Sequence, residues 1–85
     1  MEFTGHAKFK LSLYGLSEAE TKNAMKNIIA ECEDALEKSR IIVFQMIGVK
    51  WAVVMSEDKN KIITIYPIDN KTISGRKRSG RWNCK

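Results

Sequence analysis

Eighty-five residues, 44% of them hydrophobic, are expected to make one small domain, and that apolar fraction argues against a globally disordered chain. No apolar run reaches the length of a membrane-spanning helix, and one His with two Cys is too few for a zinc centre of clustered ligands. The net charge of +5 is unevenly spread: residues 1–74 balance, and the whole excess lies in Arg76, Lys77, Arg78, Arg81 and Lys85.

Residues 1–15 fit two periods. Ala7, Phe9, Leu11 and Leu13 alternate with Lys8, Lys10, Ser12 and Tyr14, as in a half-buried strand. The same residues also make helical faces, Phe9, Leu13 and Leu16 on one and Ala7, Leu11 and Tyr14 on the next. Ser17 and Glu20 then form a capping box, and Glu18 and Glu20 suit the positive end of a helix dipole. Behind that cap, Met25, Ile28, Ile29, Cys32, Ala35 and Leu36 recur at spacings of three and four, which predicts an amphipathic helix over 18–38.

Three runs rich in β-branched and aromatic residues follow, near 41–47, 50–56 and 61–67. Gly48 breaks the first from the second, and the polar stretch Ser56-Glu57-Asp58-Lys59-Asn60 turns the second into the third. Connections this short force antiparallel neighbours, so the runs read as a meander. Pro67 ends the last strand, residues 69–71 read as a turn, and 72–85 has too few apolar residues beyond Ile73 and Trp82 for an element of its own. The expectation is an α+β domain over 1–74, with N-terminal helices packed on a three- to four-stranded antiparallel sheet, then a basic C-terminal tail over 75–85. The long helix is expected to bury Met25, Ile28, Ile29, Cys32 and Leu36 against Phe44, Val53 and Ile63.

A disulfide framework in so small a domain usually shows more cysteines, so Cys32 and Cys84 are expected as free thiols. With no charged-then-apolar leader before the first element, the chain is expected to be soluble and cytoplasmic, with no membrane partner. No cofactor is expected, since the signature of a phosphate-cradling loop is missing around Gly75 and Gly80. One chemistry that needs neither metal nor nucleophilic side chain is transesterification of RNA, because the substrate supplies its own 2′-hydroxyl. The protein then supplies a base, an acid and cations for the phosphate. Histidine is the usual proton-transfer side chain near neutrality, which makes His6 the candidate base or acid. Lys10 lies one turn away if the segment is helical and would hold the phosphate; Tyr66 would stack on a base or bond the phosphate.

The same parts also serve binding without catalysis. Arg76, Lys77, Arg78 and Arg81 with Trp82 interleave cations and an aromatic, a pattern suited to RNA or other single-stranded nucleic acid. Plainer roles stand beside these: His6 as a buttress of the first element, Tyr66 as a strand aromatic, and a tail that is only solvated.

The opening Phe3-Thr4-Gly5-His6-Ala7, then Lys10, then Tyr14-Gly15-Leu16-Ser17-Glu18, resembles a family of small uncharacterised bacterial and phage domains. Those begin F-T-x-H-A-x-x-R-x-x-x-R-G-[IL]-S-x-x-[ED] and end in a strand like Ile62-Ile63-Thr64-Ile65-Tyr66-Pro67, so the resemblance covers about residues 1–67. Such domains look like relatives of the RelE-type endoribonuclease toxins, with helices packed on an antiparallel sheet. The resemblance implies a helix at the opening and metal-independent RNA cleavage. An antitoxin is the implied protein partner, and the ribosome the setting for some relatives. Two positions differ: Lys10 keeps the charge of the family's first arginine without its bidentate fork, and Tyr14 loses the charge of the second. The competing expectation is a non-catalytic small phage or plasmid protein that binds nucleic acid or a host protein.

Overall fold

The computed structural model describes residues 2–85. Glu2–Phe3 forms a short strand, β1, and the Thr4 hydroxyl then accepts the Ala7 amide to start helix α1, Gly5–Tyr14. Helical period wins over alternation here: Ala7 and Leu11 bury together on one side, and Gly15, at φ 71°, ends the helix by donating its amide to the carbonyls of Leu11 and Ser12. The Ser17 hydroxyl accepts the Glu20 amide at 3.0 Å and starts α2, Glu18–Ala24.

The helix expected over 18–38 is overturned beyond Ala24. Ile28–Asp34 is instead a strand, β2, antiparallel to β3, Arg40–Met46. Ile28 and Ile29 are β-branched and favour extended backbone. At the far end the Asp34 carboxylate accepts the amides of Leu36 and Glu37 at 2.9 and 3.0 Å, turning the chain back into β3. The helical stripe therefore never forms. Ile28, Ile29 and Leu36 are exposed, and so is Ile63; of the expected core stripe only Met25 and Cys32 are buried.

β4, Val49–Met55, and β5, Lys61–Pro67, complete a meander with β3, each strand lying within one residue of its run in the sequence. The segment past Pro67 is not the featureless tail expected from its composition. Asp69 caps α3, Asn70–Arg78, by accepting the Thr72 amide at 2.7 Å, and Trp82–Cys84 forms β6 against β2. Two apolar anchors suffice: Ile73 and Trp82 are both buried.

The expected three- to four-stranded antiparallel sheet is thus corrected to a six-stranded mixed one, in the order β1-β5-β4-β3-β2-β6. β1 pairs with β5 in parallel, which the α1–α2 crossover and the meander between them make feasible; the other pairs are antiparallel. Helices cover both faces. On the first, Ala7 and Leu11 of α1 pack with Phe44, Trp51, Val53 and Ile65; on the second, Ile73 of α3 and Trp82 pack with Ile41, Val43 and Ala52.

The free thiols are corrected too. Cys32 and Cys84 face each other across β2 and β6 and form a disulfide, with Cα atoms 3.9 Å apart. The Lys85 amide donates to Glu31 and the Ala35 amide to Arg81, which leaves the cysteines at a non-hydrogen-bonded position, where facing side chains come closest. Among the described residues no helix is long and apolar enough to cross a membrane.

Candidate functional site

Tyr66, Arg76, Arg81 and Trp82 converge on one cleft of about 200 Å³ on the second face of the sheet. Tyr66 reaches it from β5. α3 supplies Arg76, the turn at Gly80 (φ 80°) redirects the chain, and β6 brings in Trp82. Opposite them stand Asp34 and Glu37, which the sequence had assigned to a helix, and Ser39. Their signal was local and weak: Asp34 is a turn-forming residue type ahead of a β-branched run, but apolar Ala35 and Leu36 follow it and extend the helical spacing.

Charge inside the cleft is largely paired. Arg81 Nε lies 3.2 Å from the Asp34 carboxylate, and its terminal nitrogen lies 3.9 Å from Glu37. Burial opposes ionisation of Asp34, but the amides of Glu37 and Leu36 and the Arg81 cation outweigh it and hold its carboxyl below the usual carboxylate range. Burial lifts the Tyr66 phenol above its ordinary value against the pull of Arg76 and Arg81, so it keeps its proton at neutral pH. The Arg76 guanidinium lies 5.9 Å from the centre of the Trp82 ring, and its buried Nε has no hydrogen-bond partner among the described residues. Trp82 is buried beneath that guanidinium, so it supports Arg76 and offers no free face to a base. The cleft is rich in donors, and its one deeply held carboxylate is fully engaged.

Lys77 and Arg78 are exposed on the outer side of α3, in its last turn with Arg76. Among the described residues neither they nor Lys71 make an ion pair. His6 and Lys10 are elsewhere. They lie one turn apart on α1, with His6 exposed and Lys10 Nζ 5.4 Å from the centre of the Tyr14 ring. α1 packs on the first face of the sheet while Tyr66 belongs to the second, so these three residues do not share a site. Among the described residues no group of three or more His, Cys, Asp or Glu could hold a metal ion.

Comparison with family models, curated proteins and solved structures finds no match for this chain. The resemblance of its opening to the RelE-like domains therefore rests on the motif residues alone.

Proposed function

We propose that this chain is an RNA-binding domain whose phosphate-contacting surface is α3 and the turn into β6. One observation carries the proposal. Lys71, Arg76, Lys77, Arg78, Arg81 and Lys85 fall within residues 70–85 with no acid among them. Arg81 and Lys85 are ion-paired, but Lys71, Lys77 and Arg78 on α3 are exposed and make no ion pair among the described residues. Such cations on one short helix attract a polyanion, and Arg78 with half-buried Arg76 adds the fork that suits phosphate oxygens. The last-turn cations also complement the helix dipole, which contributes to stability without any ligand. Binding measurements separate the two roles. Replacing Lys77 and Arg78 with Ala should weaken retention of a labelled single-stranded RNA severalfold while leaving the melting temperature nearly unchanged. Equal retention by the variant and the wild type would remove the proposal.

Cleavage is the second reading, favoured by the helical placement of His6 and Lys10 that the motif resemblance calls for. Any such chemistry would run from the first face of the sheet without Tyr66. His6→Ala should then abolish 2′,3′-cyclic phosphate ends on RNA incubated with the protein and translating ribosomes, a loss of ~10²–10⁴-fold. RNA that stays intact with folded wild-type protein in both settings, free and ribosome-bound, leaves binding as the function.

A further inference from the structure

The first face of the sheet carries a second feature, independent of the cationic helix. α1 packs on β5, and beyond the end of α2 a groove opens on this face above apolar side chains that are themselves buried apart from Ile28. There Met25, Ile28, Ile42 and Met55 line a groove of about 520 Å³. Ile28 is half exposed in it, although its strand lies between β3 and β6 in the sheet. Around this apolar floor stand Lys22, Lys26 and Lys59. Glu31 is the one acid lining the groove among the described residues, and it is already engaged: its carboxylate accepts Lys59 at 3.1 Å and Lys85 at 3.2 Å. Those two lysines hold it below the usual carboxylate range, so Glu31 is ionised and offsets Lys59, and the uncompensated positive charge on the rim is that of Lys22 and Lys26.

We propose that this groove docks an acidic amphipathic helix of a partner protein, with apolar side chains on the floor and carboxylates toward Lys22 and Lys26. Three observations select that occupant. The floor is aliphatic and thioether, with no aromatic face on which a nucleic-acid base would stack, so the positive rim here does not read as an extension of the RNA surface. Ile42 and Met55 project from β3 and β4, whose backbone groups are committed to neighbours on both sides, so an added strand finds no ladder there. A helix needs no backbone partner and presents anchors at i, i+3, i+4 and i+7. The groove is also open to solvent, whereas a small-molecule site encloses most of its ligand. Methionines at two of its positions let the floor adapt to the anchors.

The test uses two fluorescein-labelled synthetic peptides with Leu at helical spacing, one flanked by Glu and one by Lys, titrated by anisotropy into the intact chain. The Glu peptide should bind saturably and the Lys peptide should not. Ile28→Glu and the pair Lys22→Glu with Lys26→Glu should each weaken the Glu peptide by roughly tenfold or more, the range expected of central interface positions. Both variants lie at exposed side chains, and an unchanged circular-dichroism spectrum and melting temperature for each serve as the check that the fold survives. Equal binding of the two peptides, or unchanged affinity after Ile28→Glu, overturns the proposal. So does saturation by dodecanoate as tight as by the Glu peptide, which makes the groove a small-molecule site. A dimer in sedimentation that Ile28→Glu dissolves overturns it in favour of a second copy of this chain.

Discussion

Ile47 sits at φ 55°, followed by Gly48 at φ 70°, and the two link the paired residues Met46 and Val49. Two positive φ angles in succession make a type I′ hairpin, a turn whose twist suits the strands. Glycine takes that conformation freely; a β-branched side chain takes it under strain. Ile47 is 70% exposed, so little packing offsets the strain. Ile47→Asn is expected to stabilise the protein by ~1 kcal/mol, seen as a higher melting temperature; a lower one would mean that Ile47 makes contacts outweighing its backbone. Asp34 is the opposite case, a buried residue held by three donors. Its folded pKa is depressed, so its contribution is complete above an unfolded value near about 3.9 and is lost as pH falls through the folded pKa. Asp34→Asn should cost about 1.5–3 kcal/mol at neutral pH and flatten the acid limb of the stability profile. An unchanged acid limb would mean that other carboxylates govern acid unfolding.

Among the elements, the Ser17 cap and the antiparallel meander of β3, β4 and β5 were legible, whereas the caps at Thr4 and Asp69 and the pairing of β1, β2 and β6 were not. Thr4, Ser17 and Asp69 each accept an amide a few residues on, a local interaction carried by the residue type. The polar stretch before Lys61 was equally plain, because Asp58 closes that turn through Ser56 and Asn60. Residues 28–34 were misread since two periods fit them. Ile28, Ile29 and Cys32 recur as a helix requires, yet Ala30, Cys32 and Asp34 also alternate with Ile29, Glu31 and Glu33. What decides is the pairing of β2 with β3 on one side and β6 on the other, a contact between distant segments that no local pattern announces. The energetic consequence is specific. Ile29, half exposed, should lose less than ~1 kcal/mol on replacement by Ala, whereas fully buried Phe44 should lose about 3–5 kcal/mol. Equal costs would restore the helical stripe. The disulfide fastens β6 to β2 across a sequence separation of 52, and a closure of that length contributes roughly 2–4 kcal/mol. Adding a phosphine reductant, or making Cys84→Ser, should lower the melting temperature accordingly. Two titratable thiols in the native protein before reduction would contradict the bond.

For the molecule as a whole, the mixed sheet sorts the sequence's candidate residues onto two faces. His6 and Lys10 stay with α1 and the lysine-rimmed groove, while Tyr66, Arg76, Arg81 and Trp82 gather under α3. The clustering of charge past residue 75 was visible in the sequence; that Trp82 would serve as core and Arg81 as the partner of a buried Asp was not, because both depend on β6 folding back onto β2. A disulfide persists in oxidising surroundings and is uncommon in a reducing cytoplasm, so the cytoplasmic placement expected from the lack of a charged-then-apolar opening is not shown. The proposed meeting of α3 with RNA rests on phosphate contacts, which release counterions on binding. The most direct measurement is the salt dependence of affinity for a single-stranded RNA, for the wild type and for the Lys77→Ala, Arg78→Ala pair. Contacts from Lys71, Arg76, Lys77 and Arg78 predict a slope of log K against log salt of about −3, shallower by about 1.4 in the variant, at roughly 0.7 per contact. An identical slope in the two proteins, or affinity indifferent to salt, would contradict it.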